Sequence, residues 1–194
     1  MNLPFTGDPP ADQLLQDEPL ALLLGMLLDQ QVPMEKAFHS PYELKERLGG
    51  TLDCAAIAAM DPDELRSLFA ERPALHRFPG SMAGRAGDLC RALVEQYGGR
   101  AERLWEDARD GDDLLARLKA LPGFADQKAK IFMALLGKRL GIRPPGWDQA
   151  AGFYAEAGCY SVADVDGPES LAEVRQYKRA AKAEAKAQAK AAKR

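Results

Sequence analysis

Along the chain, apolar residues recur at three- and four-residue spacing, and no stretch alternates apolar with polar for the length of a strand. The pattern predicts helices throughout, near residues 18–30, 33–37, 41–48, 53–59, 62–70, 82–98, 101–108, 112–120, 126–140, 149–157, 161–164 and 168–192. Leu20 to Leu28 form the most apolar run, broken only by Gly25. A helix there is apolar on every side and has to be buried. Two helix starts carry their own chemical marks: Ser40-Pro-Tyr-Glu43 reads as a capping box with Pro at the first helical position, and Asp61-Pro-Asp-Glu64 repeats the device. Ahead of residue 18, residues 2–16 carry Pro4, Pro9 and Pro10 and read as an extended arm. Short helices, short connections and no internal repeat predict a compact all-α fold.

The most informative segment joins two of these helices. Leu114, Leu115, Leu118 and Leu121 share one helical face, which Pro122-Gly123 ends. From Asp126 onward Ile131, Phe132, Leu135, Leu136 and Leu140 again recur at helical spacing, with Lys138 and Arg139 in the last turn and Gly141 as the C′ residue. Gly123 can adopt a left-handed backbone at little steric cost, so the amides of the turn and of the second helix's first turn can point together at an anion. A DNA phosphate is such an anion.

This segment resembles the helix-hairpin-helix of the base-excision DNA glycosylases related to endonuclease III, whose hairpin Leu121, Pro122, Gly123, Phe124 and Ala129 match. Three further segments resemble the same family in the same order. Pro19 to Gln31 is similar to its first core helix, Arg85 to Gly99 to the helix before the hairpin, and Arg143-Pro-Pro-Gly-Trp-Asp148 to the loop that ends in its catalytic Asp. The resemblance covers roughly Pro19 to Ala155. It implies a two-lobed fold with a helix-hairpin-helix motif: an arm over 1–17, a helical domain over 18–174 and a basic tail over 175–194. Within that domain one lobe spans 30–120, and the other 18–29 plus 121–174.

The resemblance also implies roles. Gln31 would enter the duplex next to an extruded base and Gln30 would contact the orphaned partner base; Gly123, Ala125, Gln127 and Lys128 would lie at the phosphate grip; Arg77 and Arg85 would touch the backbone. Ala125 replaces the second hairpin glycine. Gln127 stands where bifunctional members hold their imine-forming lysine, so the implied reaction is base removal by water without strand cleavage. Lys128 follows one residue later, about 100° around the helix. Asp148 is the implied catalytic carboxylate, because cleaving an N-glycosidic bond develops positive charge on the deoxyribose that a fixed carboxylate stabilises. Phe38, Trp147 and Tyr154 are candidate walls for the flipped base. Each residue also has a plainer use: Asp148 as a helix cap, Gln30-Gln31 as a polar helix end, the arginines as solvated surface, the aromatics as core.

Composition changes this picture in two places. Three cysteines, Cys54, Cys90 and Cys159, have no short spacing and are too few for the four-cysteine iron–sulfur cluster of many endonuclease III relatives. No metal, cluster or other cofactor is therefore expected. Charge is divided unevenly: residues 175–194 hold eight Lys and Arg against Glu184, a net +7, so with −3 overall the remaining body carries −10. Lys178, Lys182, Lys186 and Lys190 would line one face of a helical tail and neutralise phosphates; a frayed, solvating tail is the alternative. No run is long enough to span a membrane. The expected protein is a cytoplasmic, nucleoid-associated monomer acting on double-stranded DNA with a lesion or mismatch. A catalytically silent helix-hairpin-helix DNA-binding protein is the first alternative, and an interaction module without DNA the second.

Overall fold

The computed structural model describes residues 3–191, side chains from residue 189 onward excepted. Met1, Asn2 and residues 192–194 lie outside it, as does the Lys190 side chain of the expected basic stripe. Among the described residues the fold is all-α. The helices are α1 (Pro9–Asp17), α2 (Pro19–Leu28), α3 (Met34–Arg47), α4 (Cys54–Ala59), α5 (Pro62–Ala70) and α6 (Pro79–Tyr97), followed by α7 (Arg103–Glu106), α8 (Gly111–Ala120), α9 (Asp126–Arg139), α10 (Trp147–Ala151) and α11 (Pro168–Ala191). Single 3-10 turns cover Gly152–Ala155 and Val162–Asp164. No helix among the described residues is long and apolar enough to cross a membrane.

α2 is the centre of the N-terminal half. Every residue from Leu20 to Leu28 is buried, with α1, α3 and α6 packed around it, which accounts for an apolar run that has no wet face. Each of its leucines contributes about 1.5–3 kcal/mol by leaving water. Gly25 admits the ring of Phe38 so closely that a Cβ would collide with it. In the C-terminal half α8, α9 and α10 pack on one another. Gly111 lets the Gly146-Trp147 backbone approach, and Gly137 does the same for the Trp147 ring. α8, placed in the first lobe by the sequence reading, thus packs on elements of the second. A single cluster of buried apolar residues runs from Leu3 to Val174.

Two local expectations are corrected. Residues 9–17 are helix rather than extended arm: Pro9-Pro10 opens α1, where a missing amide costs nothing, and Ala11, Leu14 and Leu15 are buried. The buried Asp12 carboxylate accepts from the Phe5 and Thr6 amides and from Thr6 Oγ1, tying the leading segment to α1. Nor does Ser40 start a helix. α3 runs unbroken through Pro41, and Ser40 Oγ reaches the Lys36 carbonyl at 2.7 Å and the Leu75 carbonyl at 2.6 Å. The buried Phe38-Leu44 face and that tertiary bond override a local start signal. Asp61 does cap α5, accepting from the Asp63 and Glu64 amides.

Candidate nucleic-acid interface

α2 stops at Leu28, so Gln30 and Gln31 lie in the turn beyond it rather than in the helix. Gln31 is exposed and has φ +58, the one non-glycine residue in the left-handed region among those described. Such a backbone costs about 1–3 kcal/mol and persists only where its surroundings over-determine it. Here they do. His76, 2% exposed, donates from Nε2 to the Gln30 carbonyl at 2.9 Å, while its Nδ1 accepts from the Phe78 amide at 3.0 Å. The second bond fixes the tautomer that the first requires. Arg85 donates to Gln30 Oε1 at 3.1 Å, and Gln30 Nε2 donates back to the Leu27 carbonyl at 2.9 Å.

The third support comes from α9. Lys128 Nζ donates to the carbonyls of Met26 and Leu27 at 2.8 and 2.9 Å, satisfying groups that the end of α2 leaves open and setting a cation at the negative end of its dipole. Burial pushes this ammonium down to about 8; nearby Asp29 opposes the shift and Arg85 adds to it. Lys128 is therefore turned inward onto α2 and is not presented to a phosphate, which corrects its expected role. Its placement follows from the single-residue offset: about 100° of helix rotation points it at α2.

The hairpin itself occupies residues 121–125. The Phe124 amide bonds the Leu121 carbonyl at 3.1 Å, Gly123 has φ +84, and a side chain on Gly123 would overlap Leu27 of α2. Gly123 and Ala125 are exposed. The first turn of α9 also carries an acid: Asp126 pairs with Lys119 at 2.8 Å and Lys130 at 2.9 Å, and these two ammonium groups draw its carboxyl down to about 2. Gln127 Nε2 donates to the Tyr154 hydroxyl at 2.7 Å, tying the hairpin to the 3-10 turn after α10.

From Tyr154 a row of rings leads away. Phe153 meets Tyr154 edge-on with centroids 5.6 Å apart, Tyr160 lies 4.4 Å from Phe153, and Tyr177 of α11 meets Tyr160 edge-on at 5.1 Å. α11 then meets the glutamine loop, where Lys178 lies 3.7 Å from Asp29, and the first turn of α3, where Arg175 pairs with Glu35. A cleft of 510 Å³ separates that loop from α11. Contacts thus close a circuit: glutamine loop, start of α9, aromatic row, α11, and the loop again. The basic stripe is helical as far as it is described, and Lys178, Lys182 and Lys186 are exposed.

Asp148 stands outside this circuit. It is the second residue of α10, caps nothing with its side chain, and its carboxylate makes no hydrogen bond or ion pair among the described residues. Its neighbour Trp147 packs over Gly137, ten residues along α9 from Gln127, a rise of about 15 Å. The carboxylate is exposed, so neither the capping use nor a pre-formed pairing holds it.

The remaining sites divide. Arg77 is exposed, with its guanidinium 5.3 Å from the centre of the Phe78 ring, and Tyr154 sits in the circuit. Trp147 is half-buried beneath Arg143 against Gly137, and lies with Asp148 rather than with the loop. Phe38 is wholly buried between Gly25 and Phe5, so it offers no ring face to a base; the helical spacing that made it a candidate is the spacing of core. His76, Phe153, Tyr160 and Tyr177 were not legible as site residues. A lone His carries no spacing signal, and the three rings come from separated stretches that only the fold joins. No family model, curated protein or solved structure matches this chain.

Proposed function

We propose that this protein is a DNA base-excision glycosylase of the helix-hairpin-helix type that removes a damaged or mispaired base by hydrolysis. The observation that carries the reading is Gln31: an exposed amide on a left-handed backbone just past a buried helix, in a turn whose preceding residue Gln30 is held by His76 and Arg85 and whose helix end is held by Lys128. Rigid support beneath an exposed polar side chain is what a group entering a base stack requires, because unstacking a base costs a few kcal/mol that a mobile side chain would not offset. The exposed Gly123-Ala125 turn supports a phosphate contact, with Arg77 and the α11 lysines as further cations for the backbone. Asp148 is the carboxylate assigned to the sugar: its negative charge stabilises the developing oxocarbenium, and it orients the attacking water. With Gln127 hydrogen-bonded to Tyr154 and no lysine at that position, the abasic product leaves with its strand intact.

A second reading, a catalytically silent DNA-binding protein, is favoured by the distance of Asp148 from the hairpin. A glycosylase assay over a lesion panel decides between them. The expected result is base release with strand cleavage only after alkali, abolished by Asp148→Asn while DNA affinity is kept. No release from any lesion supports the silent protein.

A further inference from the structure

We infer that the ring row Phe153-Tyr160-Tyr177, flanked by the basic face of α11, is a binding site for the unpaired bases of single-stranded DNA. The inference rests on the DNA-binding part of the reading above and not on catalysis. Phe153 and Tyr177 are 44% and 38% exposed, two of four large hydrophobic residues so exposed among those described, and they sit on either side of Tyr160. The rings are set at 36° and 65° to one another, stepping along the surface instead of closing into a core stack. Gly158 lets Tyr160 lie flat against the backbone, since a Cβ there would collide with its ring.

Charge identifies the occupant. Tyr177 is next to Lys178, one residue or about 100° around α11, and from Lys178 the stripe continues through Lys182 and Lys186 at a rise of about 6 Å per step. Exposed rings beside a cationic track match a strand whose bases stack while its phosphates are neutralised, and such stacking tolerates any base because every base has a π-face. Duplex DNA offers its phosphates but keeps its bases in the helix, so the rings distinguish the two forms.

The test is fluorescence anisotropy with labelled oligothymidylate and, in parallel, an unmodified duplex. Phe153→Ala and Tyr177→Ala are each expected to weaken oligothymidylate binding roughly tenfold and to leave duplex binding unchanged, with Tyr177→Phe close to wild type. Lys182→Gln with Lys186→Gln is expected to lower the salt slope by about 1.4, the single-strand value for two phosphates. Unchanged single-strand affinity in both alanine variants overturns the inference, as does equal loss on the duplex or tighter binding of oligouridylate. A wild-type protein that binds lesion duplex but not oligothymidylate overturns it while leaving the proposed function standing. Aromatic-dependent binding without base release upholds it while the glycosylase reading falls.

Discussion

The Gln30-Gln31 turn and the Asp148 turn are both implied by the resemblance to serve the same reaction, yet the fold treats them differently. The first is tied to α6, α9 and the His76 loop through named hydrogen bonds, with its strained residue aimed outward. The second presents a carboxylate that no described residue pairs with. Strain retained beside dense support marks a position fixed before any ligand arrives, whereas an unheld carboxylate has to be positioned by what binds. On the proposed reading, the recognition surface is built in advance and the chemical group is not.

That contrast can be broken most severely at the hairpin. Gly123→Val forces a β-branched residue to φ +84 against Leu27, and a loss of about 2–3 kcal/mol in urea unfolding is expected, together with loss of DNA affinity. Next comes Lys128→Met, which keeps the stem but leaves the Met26 and Leu27 carbonyls unmatched; about 1–2 kcal/mol is expected. The same variant has a pH signature. Between about pH 8 and the ordinary lysine value of 10.5 the unfolded chain binds a proton that the folded one lacks, so this group adds stability as pH rises through that window. Stability curves for wild type and Lys128→Met should diverge across it, the wild type gaining.

Gln31→Gly sharpens the comparison in the other direction. Relief of the left-handed strain should raise stability by about 0.5–1 kcal/mol while removing the side chain proposed to insert. At Asp126 the folded carboxyl lies near 2 against an ordinary value of 3.8, so its contribution is present above 3.8 and lost as pH falls toward 2. Asp126→Asn should flatten that acid limb and free Lys119 and Lys130, tightening duplex binding severalfold. Asp148→Asn is expected to change stability by less than about 0.5 kcal/mol, since no hydrogen bond or ion pair to a described residue is removed.

The all-α class was legible in the periodicity, and so were α2 as a buried helix and the α8–α9 hairpin, because helical spacing and Pro-Gly punctuation are local signals. Boundaries set by tertiary contacts were not. Ser40 carries a start signal that its bond to the Leu75 carbonyl overrides, and Pro9-Pro10 marks the opening of α1 where it read as an arm. Gln31 could be singled out from sequence, but its support could not. His76 and Arg85 reach its neighbour Gln30 from 46 and 55 residues away in the chain, and Lys128 reaches Met26 and Leu27 from 102 and 101. The aromatic row was hidden for the same reason: Phe153, Tyr160 and Tyr177 share no period, and only the docking of α11 assembles them.

The central claim is that the Gln31 turn is a preformed element that enters DNA independently of the chemistry at Asp148. Its direct measurement is the fluorescence of 2-aminopurine placed beside a lesion in duplex DNA, which brightens when the base is unstacked. The expected result is brightening on binding wild type and Asp148→Asn alike, and its loss with Gln31→Ala at DNA concentrations that saturate both proteins. Equal brightening with Gln31→Ala, or none with wild-type protein bound, would contradict the account.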